Sequence, residues 1–248
     1  MPSFTCETCG KVFPQRSRYD THRGRKTPCG PSSALPAPAP APAPALPAPA
    51  LPVPAPLLKW VGGKSQIRDK VLEHFPSQME NYYEPFLGGG SILLGLLHKQ
   101  RQGEITVRGE IHASDANPHL IGFYKNVQSH PDELLHHARE LLANCPLYES
   151  KAPKGVNRHP ATAEEAKECT ETYYYWIRTQ FNSLPKDQQQ TPFASALFLF
   201  LNKTCFRGVY REGPNGFNVP FGNYKNPTII EEEHLREVSE MLQPVLFH

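Results

Sequence analysis

Residues 81–91 read Asn-Tyr-Tyr-Glu-Pro-Phe-Leu-Gly-Gly-Gly-Ser, and residues 110–115 read Glu-Ile-His-Ala-Ser-Asp. The first stretch is a short strand candidate, Asn81–Phe86, running into Gly88-Gly89-Gly90, with a helix predicted over Ser91–Lys99. The second is a strand candidate, Glu110–Ser114, that ends at Asp115. Strand, Gly-rich turn, helix, strand and acidic residue form the opening of an α/β nucleotide-binding sheet. An ordinary strand-to-helix turn also uses glycines, so this stretch decides the fold class before it decides a ligand.

Working outward, helices are predicted over Ser65–His74, Pro118–Val127, Pro131–Ala143, Ala163–Asn182 and Phe193–Asn202. The later ones read as an inserted or appended helical region. Gly213–Gly216 is a turn signal between Val209–Arg211 and Phe217–Val219, which predicts a hairpin. Val245–His248 reads as the start of another strand.

The chain of 248 residues has Lys+Arg 26 against Asp+Glu 24, a net charge of +2. Residues 1–30 hold six basic and two acidic side chains, a net of +4, which leaves −2 for the remainder. A basic head on a near-neutral body points the head at something anionic. A hydrophobic share of 39% supports a core and excludes a wholly disordered chain. Met1–Gly10 lacks a basic start followed by an apolar core, so no secretory signal is expected. The uncharged run Pro31–Leu58 is too rich in proline for a membrane helix, and Phe193–Leu201 is too short, so no membrane partner is expected. Six cysteines in a chain read as intracellular serve as metal ligands or buried thiols rather than disulfides.

Residues 31–56 contain 11 prolines. Such a tract favours polyproline II and has no apolar face to bury, so it reads as a stiff tether of roughly 80 Å at about 3.1 Å per residue. An SH3-ligand role is disfavoured, because no Arg or Lys flanks a Pro-x-x-Pro core. The expected organisation is a module at 1–30, a linker at 31–56 and a globular body at 57–248.

In the module, Cys6 and Cys9 have Cys-x-x-Cys spacing, twelve residues precede His22, and six more precede Cys29. Phe4 and Phe13 are placed to pack a very small core. Below about 40 residues a fold usually needs a metal or disulfides. Structural zinc held by three thiolates and one imidazole meets that need. The first half resembles a two-Cys, two-His finger, whereas the His-x6-Cys end resembles fingers of large DNA viruses. Arg16, Arg18, Arg23, Arg25 and Lys26 suit phosphates. A protein-binding finger would also be basic, so the module's partner stays open between DNA and protein.

Four segments of the body resemble the Dam-type adenine-specific DNA methyltransferases. They are Leu58-Lys59-Trp60-Val61-Gly62-Gly63-Lys64, Glu84–Ser91, Ser114-Asp115-Ala116-Asn117, and Leu201–Gly208 together with Phe217–Pro227. The resemblance covers Leu57 to His248 and implies S-adenosylmethionine as cofactor and double-stranded DNA as partner. It assigns cofactor binding to Trp60, Lys64, Phe86, Gly88, Gly90 and Asp115. Lys64 would meet the cofactor carboxylate and Trp60 would offer an aromatic face. Gly88–Gly90 would admit the ligand without an intruding Cβ, and Asp115, 25 residues beyond Gly90, would accept both ribose hydroxyls. Core packing is the plain alternative for Trp60 and Phe86, and a helix N-cap for Asp115. DNA recognition falls to 163–227. There the counterparts of Phe206 and Arg207 enter the stack near the target, and the counterparts of Val209 and Arg211 contact bases, with Pro220 beside them. Arg211 has the fork that reads guanine, while Arg207 replaces an Asn common in bacterial relatives. Residues 202–227 carry four basic side chains and one acidic, as a DNA-facing surface would. Cys145, Cys169 and Cys205 are expected as core thiols, and His136 and His137 are expected to face solvent.

The implied fold class is α/β: an incomplete Rossmann-like methyltransferase sheet with a helical recognition region and a β-hairpin, plus the small N-terminal zinc finger. The incompleteness is inferred from a missing motif. The family orients the target adenine with an Asp/Asn-Pro-Pro-Tyr/Phe segment, and no Pro-Pro pair occurs in the 248 residues. The expectation is therefore an incomplete enzyme, inactive alone. The alternative is a non-catalytic zinc-finger DNA-binding protein derived from one. Either acts intracellularly where its DNA is, in cytoplasm or nucleus, and the finger is compatible with a viral source. The sequence leaves the oligomeric state undetermined.

Overall fold

In the computed structural model, which describes residues 3–30, 52–146 and 155–248, the chain divides between Leu51 and Pro52 into two units. Most of the Pro/Ala tract, at 31–51, lies outside the described residues.

In the first unit β1 (Phe4–Thr5) and β2 (Val12–Phe13) form an antiparallel hairpin with Phe4 opposite Phe13, and α1 (Arg16–Arg23) follows. Tyr19 of α1 sits 6.1 Å from the Phe4 ring and 6.2 Å from Phe13, and Phe13 lies 4.9 Å from the His22 ring. Among residues 3–30 these three half-buried aromatics and the buried Cys6 make up the apolar interior, too little to hold a fold by burial alone.

The second unit begins at Pro52, where Pro54 is buried and His234 Nε2 lies 2.8 Å from the Ala55 carbonyl. Its elements are α2 (Arg68–Leu72), β3 (Gln78–Met79), β4 (Tyr82–Glu84), α3 (Ser91–Arg101), β5 (Thr106–Val107), β6 (Ile111–Ala113), α4 (Pro118–Ser129), α5 (Pro131–Ala143), α6 (Ala163–Ala166), α7 (Thr170–Asn182), α8 (Pro192–Thr204), β7 (Glu212–Gly213), β8 (Gly216–Phe217), α9 (Glu232–Leu242) and β9 (Val245–Phe247). The strands β4, β6 and β9 form a parallel sheet in that order, with Tyr82, Ile111 and Val245 in one register row and Glu84, Ala113 and Phe247 in another. The pair β3–β5 is a second parallel ladder along the same two strand paths. Between the ladders, Asn81 Oδ1 accepts from the Glu110 amide at 2.8 Å. A Cβ on Gly109 would sit 2.2 Å from that oxygen, so the kink requires glycine.

One face of the sheet is buried: Tyr82, Ile111, Ala113, Val245 and Phe247 point inward, and Phe247 stacks on Tyr124 of α4 at 5.8 Å. The other carries Tyr83, His112 and Leu246, with Tyr83 and Leu246 exposed. The helical region centres on α8, buried nearly end to end against α4, α5 and α7. Mixed helix and parallel strand is the α/β class that the sequence predicts.

Several bounds differ from expectation. The helix predicted at Ser65–His74 is only Arg68–Leu72, because Lys64–Ile67 is a turn closed by the Ile67 amide on the Lys64 carbonyl at 3.0 Å. The strand at Asn81–Phe86 narrows to Tyr82–Glu84, since Pro85 has no amide to donate. The single helix at Ala163–Asn182 is two helices. Cys169 is extended and its sulfur caps α7 by accepting from the Thr172 amide, while Thr162 caps α6. The hairpin strands lie closer to the turn than predicted, at Glu212–Gly213 and Gly216–Phe217. The helix α9 and the β3–β5 ladder were not predicted.

Candidate functional site

The Gly-rich loop leaves the C-terminal end of β4, and Asp115 leaves the C-terminal end of its neighbour β6. The Gly88 amide donates to Asp115 Oδ2 at 3.0 Å, and the Asn117 amide donates to Oδ1 at 3.0 Å. Each oxygen keeps a further lone pair. Asn117, not Asp115, caps α4: its Oδ1 accepts from the His119 and Leu120 amides at 3.0 and 3.2 Å. The carboxylate is thus held at the loop rather than spent on a helix end.

Gly90 precedes α3 with φ +70°, where a Cβ would stand 3.0 Å from the Tyr124 hydroxyl oxygen; that hydroxyl donates to the Gly89 carbonyl at 2.8 Å. A Cβ on Gly88 would stand 3.0 Å from the Trp60 ring. Phe86 is 86% exposed, so core packing does not account for it. Lys64 is exposed and donates to the Gly62 carbonyl at 2.6 Å, so its ammonium is engaged within its own turn. Beneath the loop, Glu84 accepts from the Tyr82 hydroxyl at 2.9 Å, and burial pushes its carboxyl up to about 7.

Trp60 links this loop to the segment 201–227. Its ring is partly buried, stacks on Tyr210 at 5.9 Å and meets the Phe198 edge at 6.5 Å. The backbone of Lys59 is clamped by Asn202 of α8, whose Oδ1 accepts from the Lys59 amide at 2.8 Å and whose Nδ2 donates to the Lys59 carbonyl at 2.7 Å. Tyr210 donates to Glu212, and His119 lies 3.8 Å from the same carboxylate. Burial holds the His119 imidazole below its ordinary range.

In the segment 201–227 expected to read DNA, the Phe206 amide donates to the Pro220 carbonyl at 2.9 Å, and Phe206, Arg207, Arg211 and Pro220 are exposed. Arg207 has φ +56°, and its guanidinium lies 5.2 Å over the Phe206 ring. Val209 is partly buried and its carbonyl accepts from the Cys205 thiol at 3.5 Å. Arg211 Nε donates to Asn218 Oδ1 at 2.7 Å, which fixes its side chain along the hairpin. Asn182 of α7 anchors the hairpin, accepting from the Phe217 amide at 2.8 Å and donating to its carbonyl at 2.9 Å. Tyr174 donates to the Val219 carbonyl at 2.7 Å. Sequence reasoning missed Glu84, His119, Tyr124, Asn182, Asn202 and Tyr210. Most belong to no local motif; Glu84 and Asn202 lay inside quoted motifs without being assigned a role.

In the N-terminal unit, one donor atom from each of Cys6, Cys9, His22 and Cys29 lies within 4.8 Å of the others. The Cys6 and Cys29 sulfurs are 3.6 Å apart, and Cys9 Sγ is 3.2 Å from His22 Nε2. A tetrahedral zinc site with ~2.3 Å bonds to sulfur has edges of ~3.8 Å, so the donor set fits such an ion. The Cys9 backbone amide pulls the Cys6 thiol down to about 6. The remaining cysteines are thiols, with Cys169 and Cys205 buried and Cys145 half-buried. His136 faces solvent, whereas the His137 ring lies 5.3 Å from Phe193 and is mostly covered.

A family described as the D12 class N6 adenine-specific DNA methyltransferases matches residues 60–247. The chain is 35% identical over 196 residues to the type II methyltransferase M.MjaIII of Methanocaldococcus jannaschii, covering 77% of this chain and 60% of that protein. It is 34% identical over 193 residues to the DNA adenine methylase of Escherichia coli K12, covering 77% and 55%. It is 32% identical over 177 residues to the DNA adenine methylase of Vibrio cholerae, covering 71% and 50%. The chain spans about half the length of the curated relatives it matches. Among the described residues no helix is long and apolar enough to cross a membrane.

Proposed function

The chain belongs to the D12 class N6 adenine-specific DNA methyltransferase family, and on that premise we propose that residues 57–248 hold S-adenosylmethionine and double-stranded DNA for methyl transfer to the adenine amino group. The observation that carries this is the Gly88–Asp115 bridge, which joins the glycine loop to a carboxylate at the ends of two adjacent parallel strands. Ligands of open α/β sheets bind in that crevice. The bound cofactor supplies an electrophilic methyl group on a sulfonium.

The chain's own residues bind and present. Asp115 accepts ribose hydroxyls on its spare lone pairs, and Gly88 and Gly90 let the loop close against Trp60 and Tyr124 so that the Gly88 amide reaches Asp115. The exposed Phe86 ring stacks on an adenine, Trp60 walls the crevice, and Lys64 swings from the Gly62 carbonyl to a carboxylate. On the DNA side Phe206 and Arg207 act at the base stack, while Val209, Arg211 and Pro220 face base edges, Arg211 with a fork suited to guanine. Region 163–227 acts as the recognition region and the protein works wherever its DNA is. Cys6, Cys9, His22 and Cys29 hold structural zinc, which orders the module through its ligands. A cobalt-loaded chain should show the thiolate charge-transfer band of a three-sulfur tetrahedral site. A Cys29→Ala chain with the same band removes Cys29 from the ligand set.

The alternative reading is a non-catalytic DNA-binding protein derived from such an enzyme; the lack of a Pro-Pro pair in residues 1–248 is common to both readings. Orienting groups contribute effective molarities up to about 10⁵–10⁸ M, so methyl transfer by these residues alone should stay at background. Linked binding separates the two readings. Duplex affinity of 1–248 is measured with and without S-adenosylmethionine, and any tritium passed to DNA is traced to its base. Cofactor-dependent duplex affinity supports the methyltransferase reading. Affinity indifferent to the cofactor, or label on a base other than adenine, overturns it.

A further inference from the structure

We infer that Tyr210 is the positioning residue that couples the two ligand sites of the body, setting the base-facing side chains according to whether the Asp115 crevice is filled. The inference rests on the methyltransferase reading above, in which Val209 and Arg211 face bases; Tyr210 stands between them in the chain. Its ring packs inward instead, stacked on Trp60 at 5.9 Å and tilted against Phe217 at 5.6 Å. Its hydroxyl donates to Glu212, the first residue of β7. Plain packing would be served by phenylalanine, whereas the hydroxyl also ties the ring to the hairpin.

Two contact paths lead from Tyr210 to the crevice. The ring path runs through Trp60, which Gly88 approaches so closely that a Cβ there would stand 3.0 Å from the indole. A ligand seated against Trp60 meets a ring with no slack toward the glycine loop, so its displacement passes to Tyr210. The polar path runs through Glu212, whose carboxylate lies 3.8 Å from His119 Nε2. The His119 amide donates to Asn117 Oδ1 at 3.0 Å, and the Asn117 amide donates to Asp115 Oδ1 at 3.0 Å. Burial pushes the Tyr210 hydroxyl well above its ordinary range, so the donor persists at neutral pH. Coupling between sites is carried by packed side chains and hydrogen-bond networks of this kind, and it acts equally in both directions.

The test uses a duplex that wild-type 1–248 selects from a random-sequence pool. Calorimetry measures duplex affinity with and without saturating S-adenosylmethionine, and cofactor affinity with and without the duplex. Each pair gives a coupling ratio, and the two ratios must agree. The wild type should give a ratio of about 5- to 150-fold. Tyr210→Leu, which lacks ring and hydroxyl, should bring the ratio close to one while each ligand alone still binds. Tyr210→Phe, which keeps the stack, should give an intermediate ratio. A wild-type ratio in either folded variant overturns the inference, even where both affinities fall together, since a purely structural residue weakens the ligands without uncoupling them. A wild-type chain whose duplex affinity is indifferent to the cofactor overturns the methyltransferase reading instead, so the two failures are distinguishable.

Discussion

Asn202 is the perturbation that most directly probes how the body is held together around its site. Its side chain is buried at 4% exposure and makes two short hydrogen bonds, 2.8 and 2.7 Å, to the amide and carbonyl of Lys59. Those residues are 143 positions apart, so the amide fastens the segment that carries Trp60 onto α8. A third approach, Nδ2 to the Gly208 carbonyl at 3.5 Å, is too long to count. Asn202→Ala removes both partners at once and leaves two part-buried backbone groups unpaired. Each costs about 1–3 kcal/mol, and because Lys59 itself is exposed water recovers part of it. The expected loss is therefore about 2–3 kcal/mol. At a urea slope of about 2 kcal/mol per molar, the unfolding midpoint should fall by about 1–1.5 M. A midpoint within about 0.2 M of wild type at unchanged slope would refute the reasoning, because Lys59 would then be held by other contacts.

Glu84 should give the body a pH-dependent stability. Burial raises its folded carboxyl to about 7 from 4.5, so the folded state keeps a proton that the unfolded chain has lost. This contribution is complete below about pH 4.5 and fades as pH rises to about 7, by up to about 3 kcal/mol. Glu84→Gln should flatten that stretch of a stability–pH profile, and coincident profiles would contradict it. Arg207, at φ +56°, should show a trade-off. Arg207→Gly relieves about 1 kcal/mol of left-handed strain and should raise the melting temperature while weakening duplex binding; if both quantities stay unchanged, neither the strain nor the contact is real.

The parallel sheet was legible because its signals are local: apolar runs, three glycines, and an acidic residue at the end of the next strand. Register follows from the same alternation, which puts Tyr82, Ile111 and Val245 inward and Tyr83, His112 and Leu246 outward. Helix α9 has a readable signal too, with Leu235, Val238, Met241 and Leu242 at helical spacing behind Glu232 and Glu233, though no quoted motif points to it. The break at Cys169 was hidden because a cysteine thiol acting as a helix cap has no compositional mark. The ladder β3–β5 was invisible because two-residue strands have no period to detect. Within the candidate site, glycines and Asp115 announce themselves by spacing, whereas Trp60 against Tyr210 and Asn202 against Lys59 are pairings across more than 140 residues that only packing decides.

The central assignment is that the Gly88–Gly90 loop and Asp115 form the cofactor site. Isothermal calorimetry of S-adenosylmethionine into purified 1–248, beside Asp115→Ala, tests it most directly. Loss of charge-assisted hydrogen bonds should cost roughly 2–3 kcal/mol, or about 30- to 150-fold in affinity. One-to-one binding in the wild type, weakened to that extent in Asp115→Ala, is the expected result. Equal affinity in the two chains, or no binding by a folded wild type, would contradict the assignment.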